Sequence, residues 1–173
     1  MNPDIEIGPA RADEHAALGQ LLVDVYARLP GFPGPQQQPA YYEMLAQVGR
    51  FAERPGVQIL VARRADGPLA GGVVFFADMA QYGSGGTATQ LRDAAGIRLL
   101  GVAPDCRGSG VGCELTLACL ALARASGRAQ VVLHTTRAMA TAWRMYERLG
   151  FVRHEELDFL QQELPVFGFR TIL

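Results

Sequence analysis

The stretch most able to do chemistry is Val102-Ala103-Pro104-Asp105-Cys106-Arg107-Gly108-Ser109-Gly110-Val111-Gly112. Glycines at alternate positions let successive backbone N–H groups converge on one point, and a helix opening at Val111 adds the positive end of its dipole, about half a unit charge. Arg107 adds a forked donor at the mouth. Together these groups suit an anionic phosphate. No Gly-Lys-Ser/Thr follows, so this is not a Walker loop, and its G-x-G-x-G spacing departs from the G-x-G-x-x-G dinucleotide fingerprint.

The loop needs a strand before it and a helix after it. Residues 97–102 read as that strand, and 111–126 as a helix that is apolar on most faces and closed by Gly127. A second apolar strand over 131–135 and a helix over 138–149 follow, the latter with Ala142, Trp143, Tyr146 and Leu149 on one face and Gly150-Phe151 at its end. Upstream, 5–7 reads as a strand, and a helix opens at Asp13-Glu14-His15 with Leu18, Leu21, Leu22 and Val25 at helical spacing. Four prolines and two glycines over 30–39 predict an exposed loop. A helical piece over 41–51 precedes strands 57–62 and 71–77, which form an antiparallel hairpin about Asp66-Gly67-Pro68. Residues 81–95 read as loop, and the tail as two strands, 152–159 and 166–173.

The composition bounds what such a chain can do. At 173 residues it predicts one domain, 1–173, and 49% hydrophobic with 19% charged residues excludes disorder for the bulk. Sixteen basic against seventeen acidic residues give no basic field for a phosphate backbone, so nucleic acid is not an expected partner. The polar N-terminus lacks the pattern of a signal peptide, and the apolar run 115–123 falls short of the roughly 20 residues that span a bilayer, so no membrane association is expected. Three cysteines, Cys106, Cys113 and Cys119, form neither a CxxC pair nor an even framework, which predicts a reducing, cytoplasmic setting. The histidines at 15, 134 and 154 show no metal-ligand spacing, and no metal is expected.

The segment Arg107-Gly108-Ser109-Gly110-Val111-Gly112, after a Val102-Ala103-Pro104 strand end, resembles the R/Q-x-x-G-x-G/A signature of the GNAT family of N-acetyltransferases. Tyr146-Glu147-Arg148-Leu149-Gly150-Phe151 is similar to that family's second signature, and together the motifs cover about residues 97–155. The resemblance implies an α/β (α+β) fold with a mixed, mostly antiparallel central sheet of six to seven strands, about four flanking helices, and splayed parallel strands 97–102 and 131–135. It implies acetyl-CoA as co-substrate, with pyrophosphate on the amides of Arg107, Gly108, Ser109, Gly110, Val111 and Gly112 and pantetheine along Leu100, Gly101 and Val102. Gly101 suits a close backbone approach.

Acetyl transfer to an amine needs a neutral nucleophile, a polarised carbonyl and a proton for the departing thiolate. By resemblance Tyr146 is the acid, and His134, on the strand beside the acetyl arm, is the candidate base. Each has a plainer reading, as a core aromatic and as a histidine packed in the sheet. Glu43, Asp78, Glu114 or a water are weaker alternatives for the base. Relatives often carry an asparagine that contacts the pantetheine or relays water where this chain has Met139, which puts that contact in doubt. Cys106 and Cys113 read as structural.

The resemblance implies a small-molecule or peptide amine as acceptor, met by the first helices, the 30–39 loop and the C-terminal strands. Tyr26, Phe32, Tyr41, Tyr42, Phe76 and Tyr82 are candidates to line that side, and Glu155, Glu156 and Asp158 to attract a cationic amine. A catalytically silent acyl-CoA-binding module is the alternative to an enzyme. Dimers occur in the family, and the sequence leaves a homodimer open.

Overall fold

Apolar runs bounded by glycine and proline become the strands of one mixed sheet, with a hydrophobic core on each face. In the computed structural model, which describes residues 4–173, the chain runs β1 (Ile5–Pro9), α1 (His15–Ala27), α2 (Pro39–Ala46), β2 (Val57–Arg64), β3 (Gly71–Phe76), β4 (Ala94–Val102), α3 (Val111–Ala125), β5 (Gln130–Thr135), α4 (Ala140–Arg148), β6 (Val152–Arg153), β7 (Phe159–Gln161) and β8 (Leu164–Ile172). Residues 1–3 of the expected 1–173 domain lie outside the described residues.

The strand order is β1-β2-β3-β4-β5-β8-β6, with β7 on β8, and β4–β5 is the one parallel pair among the described strands. Alternation along β2 and β3 divides the core. Ile59, Val61, Val74 and Phe76 pack with Leu18, Leu22, Tyr42 and Leu45 of α1 and α2. Leu60, Ala62, Val73 and Phe75 pack with Leu115, Cys119 and Ala123 of α3 and Tyr146 of α4. Among the described residues no helix is long and apolar enough to cross a membrane.

The predicted helix over 41–51 divides into α2 and a 3-10 stretch, Val48–Glu53. Residues 81–95 contain the 3-10 turn Ala88–Gln90 and the start of β4. The expected strand 152–159 is corrected most. It breaks after Arg153 into a 3-10 turn, Glu155–Leu157, before β7, which brings the sheet to eight strands. The turn forms because Asp158 accepts from the Gly168 N–H at 2.7 Å and from both terminal nitrogens of Arg153, at 2.9 and 2.7 Å, while Leu157 packs where a side chain at 168 would stand.

One ion-pair cluster fastens the N-terminal turn to the sheet. Glu14, 8% exposed, accepts from Arg63 at 2.6 and 2.8 Å and from the Arg11 N–H at 2.7 Å. The Arg63 hydrogen bond leads in holding its carboxyl down to about 2, against an ordinary 4.5. A depressed carboxyl contributes stability that is complete above the unfolded value and lost as pH falls through the folded one. Denaturant unfolding is therefore expected to show stability falling between pH 4.5 and about 2. Glu14→Gln should flatten that dependence and cost about 3 kcal/mol at neutral pH; an unchanged slope would contradict the assignment.

Candidate functional site

The glycine loop has the backbone that its sequence requires. Gly108 and Gly110 sit at φ +77° and +90°, conformations glycine adopts without strain, and a Cβ at either would meet nothing within 4 Å. Gly110 caps α3, and its carbonyl accepts from the Glu114 N–H at 3.0 Å. The N–H groups ahead of Glu114 thus have no acceptor within the helix and face outward. Ser109 donates to the Cys106 carbonyl at 2.6 Å, and Arg64 grips Asp105 with two bonds of 2.8 Å, which together brace the loop's base. Arg107 is exposed, and no ion pair with it occurs among the described residues. Open space over the glycines, unspent N–H groups and an unpaired guanidinium fit a phosphate-bearing cofactor.

Beyond the loop the sheet opens. β4 and β5 pair only over Ala94–Ile97 and Gln130–Leu133, after which each strand stays bonded to its other neighbour alone. The register of β4 against β3 shifts between Gly72 and Val74, and Leu99 takes φ +58°, rare for a leucine. This bulge turns both Arg98 and Leu99 toward α1 and α2 while Leu100 and Val102 face α3. Tyr26 of α1 donates to the Leu100 carbonyl at 3.0 Å. At Gly101 the close approach is made by Leu22, whose Cδ2 would lie 2.7 Å from a Cβ there.

Tyr146 lies on the α3 face, buried edge-on against Phe151. No hydrogen bond to its hydroxyl occurs among the described residues. Burial pushes the phenol above its ordinary range, and Cys119 and Tyr82 add to the shift, so it holds its proton at neutral pH.

On the opposite face the opening leads to a cavity of about 70 Å³ lined by Tyr26, Phe32, Tyr41, Tyr82, Arg98, His134, Thr135, Thr136, Met139 and Phe159, among others. The 30–39 segment forms part of its wall. That loop is pinned: Tyr42 donates to the Pro33 carbonyl at 2.8 Å, and Gln161 of β7 donates to buried Gln38 at 2.6 Å. His134 is bound on both ring nitrogens. Nε2 is 2.8 Å from the Leu157 carbonyl, which can only accept, so Nε2 carries the proton and Nδ1 accepts from the Tyr82 hydroxyl at 2.9 Å. Burial leads in lowering its pKa to about 4.

The cavity thus gathers His134, Tyr26, Phe32, Tyr41 and Tyr82 of the sequence-stated candidates, together with Met139. Tyr42 braces the loop, and Phe76 lies in the core between Phe51 and Tyr82. Glu43, Asp78, Glu114, Glu155, Glu156 and Asp158 do not line it. Asp78 caps a turn through the Ala80 N–H, and Asp158 is committed to Arg153. Cys106 and Cys119 are buried and Cys113 half-buried, all as free thiols, with Cys119 pushed up to about 12 by burial. Sequence reasoning missed Arg98, Thr135 and Thr136. A lone arginine inside the apolar run Ala94–Val102 was the available signal for the first.

Residues 21–151 match the model of the acetyltransferase (GNAT) family. Over 57 residues the chain is 47% identical to a mycothiol acetyltransferase of Thermobispora bispora and 46% identical to one of Streptosporangium roseum. Each match takes in 33% of this chain and 19% or 17% of the relative, so the chain spans about a fifth of the length of these relatives. Among solved structures, a GNAT-family acetyltransferase of Staphylococcus aureus superposes with a TM-score of 0.75 at 12% identity, covering 98% of this chain and 99% of that one. PaiA N-acetyltransferase of Thermoplasma acidophilum, in complex with coenzyme A, gives 0.74 at 15% identity with 98% and 99% covered. A putative acetyltransferase of Salmonella typhimurium with its cofactor acetyl-CoA gives 0.69 at 16% identity with 98% and 94% covered.

Proposed function

The chain belongs to the acetyltransferase (GNAT) family, and from that premise we propose that it transfers the acetyl group of acetyl-CoA to a primary amine by direct attack. The observation that carries this reading is the opening between β4 and β5. It lies between the α3 face, which carries Tyr146, and a small cavity of mixed aromatic and polar lining on the other face.

The backbone amides from Arg107 to Gly112, with the Arg107 side chain, would hold the pyrophosphate, and Leu100 to Val102 would lie along the pantetheine. Acetyl-CoA supplies an activated acyl thioester when bound. Tyr146, protonated and free of internal partners, is placed in this reading to give its proton to the departing sulfur. His134 is the proton acceptor. With Nε2–H fixed on Leu157, its Nδ1 lone pair can take the Tyr82 proton as the Tyr82 oxygen receives one from the amine. A base of pKa about 4 is weak, and it acts only as the N–C bond forms and the amine proton becomes acidic. The free thiols accord with a cytoplasmic setting.

The test is amine-dependent release of thiol from acetyl-CoA, with the acetylated product identified by mass spectrometry. The pH profile examines the base separately. Protonation of the amine itself gives one acidic limb, and because protonated His134 cannot accept, a second, steeper fall should appear as pH drops through about 4. Replacement by glutamine should remove that second fall and lower kcat by roughly tenfold or more. A second fall near pH 4 retained in His134→Gln would eliminate His134 as the base.

A further inference from the structure

The cavity on the α1–α2 face carries an unspent cation and no carboxylate. Arg98 enters it from β4, next to the bulge at Leu99. Its Nη1 donates to the Tyr82 carbonyl at 2.7 Å, but the nearest partner of Nη2 is the Met44 sulfur at 3.9 Å, a weak acceptor. The guanidinium lies over the Phe51 and Tyr82 rings, at 5.9 and 5.6 Å, and none of the ion pairs among the described residues includes it. A half-buried arginine without a counter-charge leaves one edge of its fork open for a planar anion.

A second, independent observation points into the same space. Thr136, 3% exposed, lines the cavity on the side of His134, and its hydroxyl has no hydrogen-bond partner among the described residues. Thr135, paired with Phe167, carries its side chain on the α3 face instead. A buried hydroxyl without a partner is costly, and a bound acceptor oxygen would satisfy it. No aspartate or glutamate lines the cavity, and Asp158, which acts on His134, is already paired with Arg153, so an acceptor carrying only positive charge would meet the uncompensated charge of Arg98.

We propose that the acceptor is a small amino-carboxylate, its carboxylate held by Arg98 and the Thr136 hydroxyl and its amine directed to the opening between β4 and β5. This inference rests on the acetyl-transfer reading for the fate of the amine, but not for the binding of the carboxylate. A single guanidinium matches a single negative charge.

The experiment titrates the full-length protein, saturated with coenzyme A, with free amino acids of varied side chain and with the C-terminal amide of each, using calorimetry. Thiol release from acetyl-CoA is scored in parallel on the same compounds. At least one acid should bind about tenfold or more tighter than its amide. Arg98→Met should erase that difference. Because Arg98 also holds the Tyr82 carbonyl, Thr136→Val provides a gentler variant, expected to reduce the preference by about threefold with the fold intact. Amides that bind as well as their acids, absence of binding by every acid, or a preference unmoved in both variants would overturn the inference. Acids that bind preferentially but release no thiol would overturn the transferase reading and leave the carboxylate site standing.

Discussion

Tyr146→Phe is expected to lower kcat about 100-fold or more, with little change in acetyl-CoA affinity and no loss of fold. The phenyl ring keeps its place against Phe151, and no internal hydrogen bond is broken, because the hydroxyl makes none among the described residues. What the substitution removes is one proton on a buried side chain of the α3 face. A thiolate departing unprotonated there would carry the cost of an unpaired charge. Stopped assays of thiol release at saturating acetyl-CoA, with thermal unfolding as the control, examine this directly. An unchanged kcat would return Tyr146 to the role of a core aromatic.

The second large effect is expected at Gly110. At φ +90° a valine is strained by roughly 1–2 kcal/mol, and the new side chain would project into the open space over the cradle N–H groups. Since a Cβ there meets no protein atom within 4 Å, the cost falls on the ligand more than on the fold. Calorimetric titration should show acetyl-CoA affinity reduced about 100-fold in Gly110→Val, with only a modest fall in Tm. An unaltered affinity would remove the loop from the binding site.

The backbone of the glycine loop and the helix that carries Tyr146 were legible because short-range rules determine them. Alternate glycines before a helix can be read from adjacent residues, and so can an amphipathic helix closed by glycine, while the role given to Tyr146 comes from the family resemblance. The rest of the site depends on contacts distant in sequence. Tyr82 and His134 meet across 52 positions, and the carbonyl that fixes the histidine tautomer belongs to a turn where a continuous strand was expected. That turn exists because Asp158 satisfies the Gly168 N–H, a pairing no local pattern announces. Arg98 was hidden by the bulge. Strict alternation would put it and Leu99 on opposite faces, whereas the extra residue turns both toward the cavity. The acidic residues Glu155 and Glu156, conspicuous in sequence, are exposed and outside the cavity.

The central claim is that an acetyl group held on the α3 face passes between β4 and β5 to an amine on the other face. Thiol release from acetyl-CoA, measured with and without each member of a broad amine panel, tests it most directly. The account predicts release that depends on the amine, saturates with it, and yields one acetyl group on nitrogen per thiol. Tight binding of acetyl-CoA with no amine-dependent release across the whole panel would contradict it.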